Sequence, residues 1–252
     1  MNVCFNGCSF TVGEGFPVDQ RENYIYDRIL EQTLNFKRAN IAVAGSSNYL
    51  IFMRSADAIL SGDYDCVITQ WTALNRLWLC PGPDATFSTN NDNVLDFKYN
   101  HIYLSPREKI KFKDTLLMLN GDYNNIIDLI KFCNILKNLS YTTKTKIIFI
   151  NGLVPWTDDL NQPLGNDLNN SLSDYSKSLL DFDNKDDDEI IKFFLELEGH
   201  FAKLDQSLWV NLFDSWAKNC KDTGPEGHHP GIASHKWMAD KVLTYLKTHK
   251  II

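Results

Sequence analysis

The sequence predicts an α/β fold, a parallel sheet with helices on both faces, and three observations carry that expectation. Short β-like runs alternate with stretches of helical periodicity along most of the 252 residues, the pattern of strand–helix–strand units. The 44% apolar and 23% charged content is that of an ordinary globular chain able to bury a large core. The expected strand ends are rich in glycine and hydrogen-bonding side chains: Gly7-Cys8-Ser9, Gly45-Ser46-Ser47-Asn48, Gln70-Trp71-Thr72 and Asn151-Gly152-Leu153. In parallel sheets, ligands bind beyond these carboxyl ends, so a site is expected at that edge.

Taken in order, residues 2–5 read as the first strand. Residues 24–32 show helical periodicity, with Tyr24, Ile25, Ile29 and Leu30 forming the apolar face. Residues 39–44 read as the second strand, and the polar run after it can cap a helix over 49–60. A β-rich third strand follows at 66–69. Residues 81–101 carry Pro, Gly, Asn and Asp and read as a long loop, with helices expected near 106–120 and 123–139. The strongest strand is 146–150, and a second long, acidic loop covers 156–189. A helix near 188–202, a short fifth strand at 209–212 and an amphipathic helix over 233–247 complete one domain of 252 residues.

Charge narrows the choice of partner. Residues 156–189 hold ten acidic side chains against Lys177 and Lys185, so the remainder of the chain is close to neutral within a net charge of −7. No basic stripe exists to neutralise phosphates, so nucleic acid is not an expected partner. The acidic stretch lacks the spacing of an EF-hand and reads as a solvated loop. No membrane-length apolar run and no signal peptide are visible, so a cytoplasmic protein without membrane association is expected. The six cysteines show no C-x-x-C pairing and read as reduced thiols.

Two motifs at opposite ends of the chain point to chemistry. Ser9 follows the first strand in a tight turn that can expose a nucleophilic hydroxyl. Glu226-x-x-His229-Pro230 precedes the last helix. A serine needs a base near neutrality, the imidazole needs a carboxylate to orient it, and donors must surround the developing oxyanion. In this order and spacing the pair resembles the SGNH, or GDSL-like, serine hydrolases. That resemblance implies a flavodoxin-like three-layer α/β/α sandwich with about five parallel strands. It also implies ester hydrolysis through an acyl-serine intermediate, without metal or organic cofactor. Carried over residue by residue, it assigns Ser9 as nucleophile, His229 as base and Glu226 as orienting acid, with Asp222 as the alternative acid.

Gly45 matches the family's glycine amide donor. The family's Gly-x-Asn-Asp block is replaced by Gln70-Trp71-Thr72-Ala73-Leu74-Asn75-Arg76, so Thr72, or else Asn48 or Asn75, stands in for the oxyanion asparagine. Cys8 stands where an acidic residue is usual. Trp71 and Arg76 are candidate substrate contacts, Trp71 as an aromatic wall for a sugar ring and Arg76 as a clamp or a salt-bridge partner. His228 is a rival base and His235 is expected to be structural; Glu14 and Asp19 are expected to be solvated. A small acyl group, acetyl on a carbohydrate, is the substrate this reading favours, with a small-molecule ester as the wider class and the oligomeric state left open. Two alternatives stand beside it: a catalytically inactive SGNH-like binding or structural module, motivated by the altered third block and Cys8, and a metal-dependent hydrolase using the His228–His235 cluster.

Overall fold

A computed structural model describes residues 1–73, 122–153, 204–212, 215–227 and 229–251. The expected segments 81–101, 106–120, 156–189 and 188–202 lie outside the described residues. The sheet has four parallel strands: β1 (Asn2–Asn6), β2 (Lys37–Asn40), β3 (Cys66–Trp71) and β4 (Lys146–Asn151), in the order β2-β1-β3-β4. That order is the one of flavodoxin-like folds as far as it goes. Six α-helices accompany it among the described residues: α1 (Ser9–Val12), α2 (Val18–Tyr24), α3 (Tyr26–Leu34), α4 (Asn48–Ser61), α5 (Asp122–Thr143) and α6 (Ile232–Thr248).

Successive residues of a strand point to opposite faces, and β1 shows what covers each. Phe5 meets Tyr26 of α3 edge-on, with ring centroids 5.7 Å apart. Its neighbour Asn6 donates from Nδ2 to the Ile51 carbonyl of α4 at 2.7 Å. Helices α3 and α4 therefore lie on opposite faces, α3 packed with α6 and α4 with α5. Strand β3 is buried along its whole length, which is why it reads as an apolar run rather than an alternating one.

Three expectations shift by a few residues for physical reasons. The helix expected over 24–32 is two helices, broken at Ile25, whose extended backbone (φ −71°, ψ 146°) ends α2 and caps α3. Strand β2 begins two residues early, but its bonding to β1 runs on past Asn40: the Ile41 amide donates to the Phe5 carbonyl and that of Val43 to Gly7. The expected fifth strand reduces to one parallel bridge between Phe149 and Trp209. Beyond it the ladder passes to side chains. Asn211 Oδ1 accepts from the Asn151 amide and Asn211 Nδ2 donates to its carbonyl, both at 2.9 Å.

Asp27, fully buried, accepts from Arg38 and from the side chain of Asn40, each at 2.8 Å. Burial drives its carboxyl pKa up, against the pull of Arg38. The second proton of Asn40 Nδ2 goes to the Thr11 carbonyl, so this network also braces α1. The five described cysteines are free thiols; burial pushes Cys4 and Cys66 up to about 12, which leaves both unreactive.

Candidate active site

Strand β1 stops at Asn6, whose side-chain Oδ1 accepts from the Gly7 amide at 2.9 Å. A Cβ at Gly7 would stand 2.7 Å from Gln70 Oε1, so the close packing of this turn requires glycine. Cys8 is the N-cap of the four-residue α1 in extended conformation, and Ser9 is its first helical residue. The turn closes on Gly13, left-handed at φ 76°, whose amide returns to the Ser9 carbonyl.

Gln70 organises this turn from below. Its Oε1 accepts from the Cys8 amide at 3.3 Å and from the Thr11 hydroxyl at 2.8 Å. Its Nε2 donates to the Trp71 carbonyl at 2.8 Å and to Cys8 Sγ at 3.3 Å. The position where the resembled family carries glycine thus holds a long side chain that ties the end of β3 to the serine turn. Ser9 is 2% exposed, and its hydroxyl has one hydrogen-bond neighbour among the described residues, Cys8 Sγ at 3.9 Å.

Two further strand ends meet the same edge. The Val43 amide donates to the Gly7 carbonyl, which sets the next turn beside the serine turn, and Gly45 has a positive φ of 73° there. No acceptor for the Ser9 or Gly45 amide is found among the described residues. Asn48 clips the end of β3: its Oδ1 accepts from the Thr72 amide at 2.8 Å and its Nδ2 donates to the Thr72 carbonyl at 3.1 Å. Asn48 therefore positions Thr72 instead of facing a ligand with a free amide. The Thr72 hydroxyl is buried without a partner among the described residues, which a buried donor rarely is.

The C-terminal motif folds back over α1. The His229 ring stands edge-on to Phe10, the residue after Ser9, with centroids 6.1 Å apart and planes at 76°. Its Nδ1 pairs with Glu226 Oε1. Nε2 lies 3.5 Å from Glu14 Oε2, and no hydrogen bond joins it to Ser9. Glu14 was expected to be solvated; it faces the histidine because Gly15 and Gly224 bring their backbones into contact. A Cβ on Gly15 would come within 2.8 Å of the Pro230 carbonyl. Asp19 is exposed, as expected.

The remaining expected residues divide clearly. Asp222, the alternative acid, is spent on α6: its carboxylate accepts from the Ala233 and Ser234 amides at 2.9 and 2.8 Å and from the Ser234 hydroxyl. Burial opposes its ionisation, but those bonds outweigh burial and hold its pKa below the usual range. His235 is buried, accepts from the Tyr26 amide at Nδ1, and is pushed down to about 3 by burial, so it is a neutral structural residue. Trp71 is fully buried against Phe149; it is a core residue and not an exposed wall for a sugar. Asn75, Arg76 and His228 lie outside the described residues. His229 and His235 turn to different partners, and among the described residues no group of three or more potential ligands gathers to hold a metal. Gln70 and Glu14 are the residues that sequence reading undervalued. Gln70 registered only as a departure from a motif. Glu14 had one available signal, the Gly13-Glu14-Gly15 run four residues after Ser9, where glycines mark a close backbone approach.

No protein-family model matches the chain, and no curated protein matches it. Among solved structures, the chain is similar to the psychrotrophic esterase EstA from Pseudoalteromonas sp., at 10% identity and a TM-score of 0.45 over 100% of this chain and 99% of that one. It is similar to a catalytic mutant of Axe2, an acetylxylan esterase from Geobacillus stearothermophilus, at 13% identity and a TM-score of 0.45 over 97% and 93%. It is likewise similar to TesA, at 9% identity and a TM-score of 0.46 over 98% and 99%.

Proposed function

We propose that the chain is a serine esterase of the SGNH type, hydrolysing a small acyl ester through an acyl-serine intermediate. One observation carries the reading: the turn that presents Ser9 at the carboxyl end of β1 packs, through Phe10, against a histidine whose Nδ1 is already paired with Glu226. In this reading Ser9 Oγ attacks the ester carbonyl while His229 Nε2 takes its proton. The same nitrogen returns that proton to the departing alcohol, and water repeats the sequence to release the acid. Glu226 fixes the tautomer and stabilises the imidazolium. The Ser9 and Gly45 amides and the Thr72 hydroxyl are the donors for the oxyanion, and the unpartnered state of Thr72 is what supports its part.

Acetyl on a carbohydrate is the substrate class we favour, although Trp71 no longer argues for sugar stacking. A panel of acetylated glycans and aryl esters of increasing acyl length tests this. Turnover that is highest for acetyl and lost in Ser9→Ala is expected. Turnover of long esters alone overturns the acyl assignment, and turnover undiminished in Ser9→Ala overturns the mechanism.

A further inference from the structure

His229 stands between two carboxylates, one on each ring nitrogen. Glu226 takes Nδ1, and Glu14 Oε2 lies 3.5 Å from Nε2, the nitrogen that must reach Ser9 in the mechanism above. Nε2 cannot serve Glu14 and Ser9 together. We propose that Glu14 is a positioning residue that latches the protonated ring of His229 away from Ser9 and releases it when the ring is neutral. The proposal rests on the serine-esterase reading.

The charges give the latch its direction. A protonated ring presents N–H on both nitrogens and satisfies both carboxylates at once. A neutral ring keeps its proton on Nδ1, against Glu226, and turns a lone pair toward Glu14. Lone pair against carboxylate is repulsive, whereas lone pair against the Ser9 hydroxyl is a hydrogen bond. The neutral ring is therefore driven from Glu14 toward the serine.

The placement of Glu14 is built into the backbone. It follows Gly13, the left-handed cap of the Ser9 helix, and precedes Gly15, which is packed against Pro230 and Gly224 of the histidine loop. The carboxylate is thus held by the same contact that joins the two ends of the chain. Among the described residues no other titratable group faces the ring. Phe10 covers it from α1, Asp222 is bound to the start of α6, and His235 is sealed in the core beside Tyr26. Both carboxylates of the latch are part-exposed, 35% for Glu14 and 46% for Glu226, so salt should weaken it.

The test compares wild type with Glu14→Gln, an isosteric change at a part-exposed position, by the rate of fluorophosphonate labelling at Ser9. At about pH 8 the two should react alike, and at about pH 5.5 the variant should react about two- to fivefold faster, the range of a part-exposed ion pair. Added salt should narrow that gap, and Glu14→Asp should keep part of it. Labelling of wild type and variant at Ser9 with a rate ratio that does not change with pH or salt overturns the latch and leaves the esterase reading intact. Absence of Ser9 labelling in both proteins at every pH overturns the two together.

Discussion

The serine turn and the histidine loop touch each other, yet they are held by different physics. The serine turn is sealed: Ser9, Cys8, Thr11 and Gln70 are all buried, and Gln70 alone takes up the Cys8 amide and the Thr11 hydroxyl. The histidine loop is part-exposed, and its functional groups are held by charge: Glu226 on one side of His229 and Glu14 on the other. A buried network has one arrangement, because breaking it leaves unpaired donors in a low dielectric. A solvated ion pair exchanges partners at little cost. The proposed nucleophile is accordingly fixed, and the proposed base is the part of the site free to move.

Changes on the two sides should therefore differ in kind. The largest effect is expected on the histidine side without loss of stability. Glu226→Gln should lower kcat roughly 10²- to 10⁴-fold, as for loss of a triad carboxylate, with an unchanged melting temperature. On the serine side, Thr72→Val should lower kcat on the order of 100-fold if its hydroxyl is an oxyanion donor. Its stability should stay within about 1 kcal/mol of wild type, because the hydroxyl removed has no partner to strand. Steady-state kinetics paired with urea unfolding separates these outcomes; a destabilised Thr72→Val with unchanged kcat would make the hydroxyl structural.

Asp222→Ala should show the reverse of Glu226→Gln. It removes the cap of α6 and should cost roughly 1–2 kcal/mol, while the activity per folded molecule persists. The remaining effect is on stability alone, as a dependence on pH. His235 binds its proton near 3 when folded and near 6.5 when unfolded, so between those values the unfolded chain holds the extra proton. Unfolding free energy should then fall as pH drops through this window, by at most about 1.4 kcal/mol per pH unit. Denaturant melts across that range should show this slope, and His235→Gln should remove it.

The sequence made the sealed half of the fold easy to read and its wiring hard. Strands β1, β3 and β4 are apolar runs closed by Gly or polar residues, and α6 is long and amphipathic, so each was legible. The turn at Ser9 and the contact between Glu226 and His229 were legible because a glycine-serine turn and a carboxylate three residues before a histidine are local patterns. Gln70 was not, because its partners Cys8 and Thr11 lie 62 and 59 residues away and nothing local to Gln70 signals them. Trp71 misled for a related reason: a tryptophan at a strand end has the same local sequence whether it faces solvent or the core. The fifth strand failed because asparagine side chains took over its ladder, which a β-propensity pattern does not distinguish from backbone pairing.

The central claim is that Ser9 is a nucleophile activated by His229. Labelling of the full chain with a fluorophosphonate near neutral pH, followed by peptide mapping, addresses it most directly. Covalent modification at Ser9 that is abolished in Ser9→Ala and strongly reduced in His229→Ala is the predicted result. A folded protein that remains unlabelled at Ser9, or that labels equally well without His229, would contradict it and favour a binding module built on the same fold.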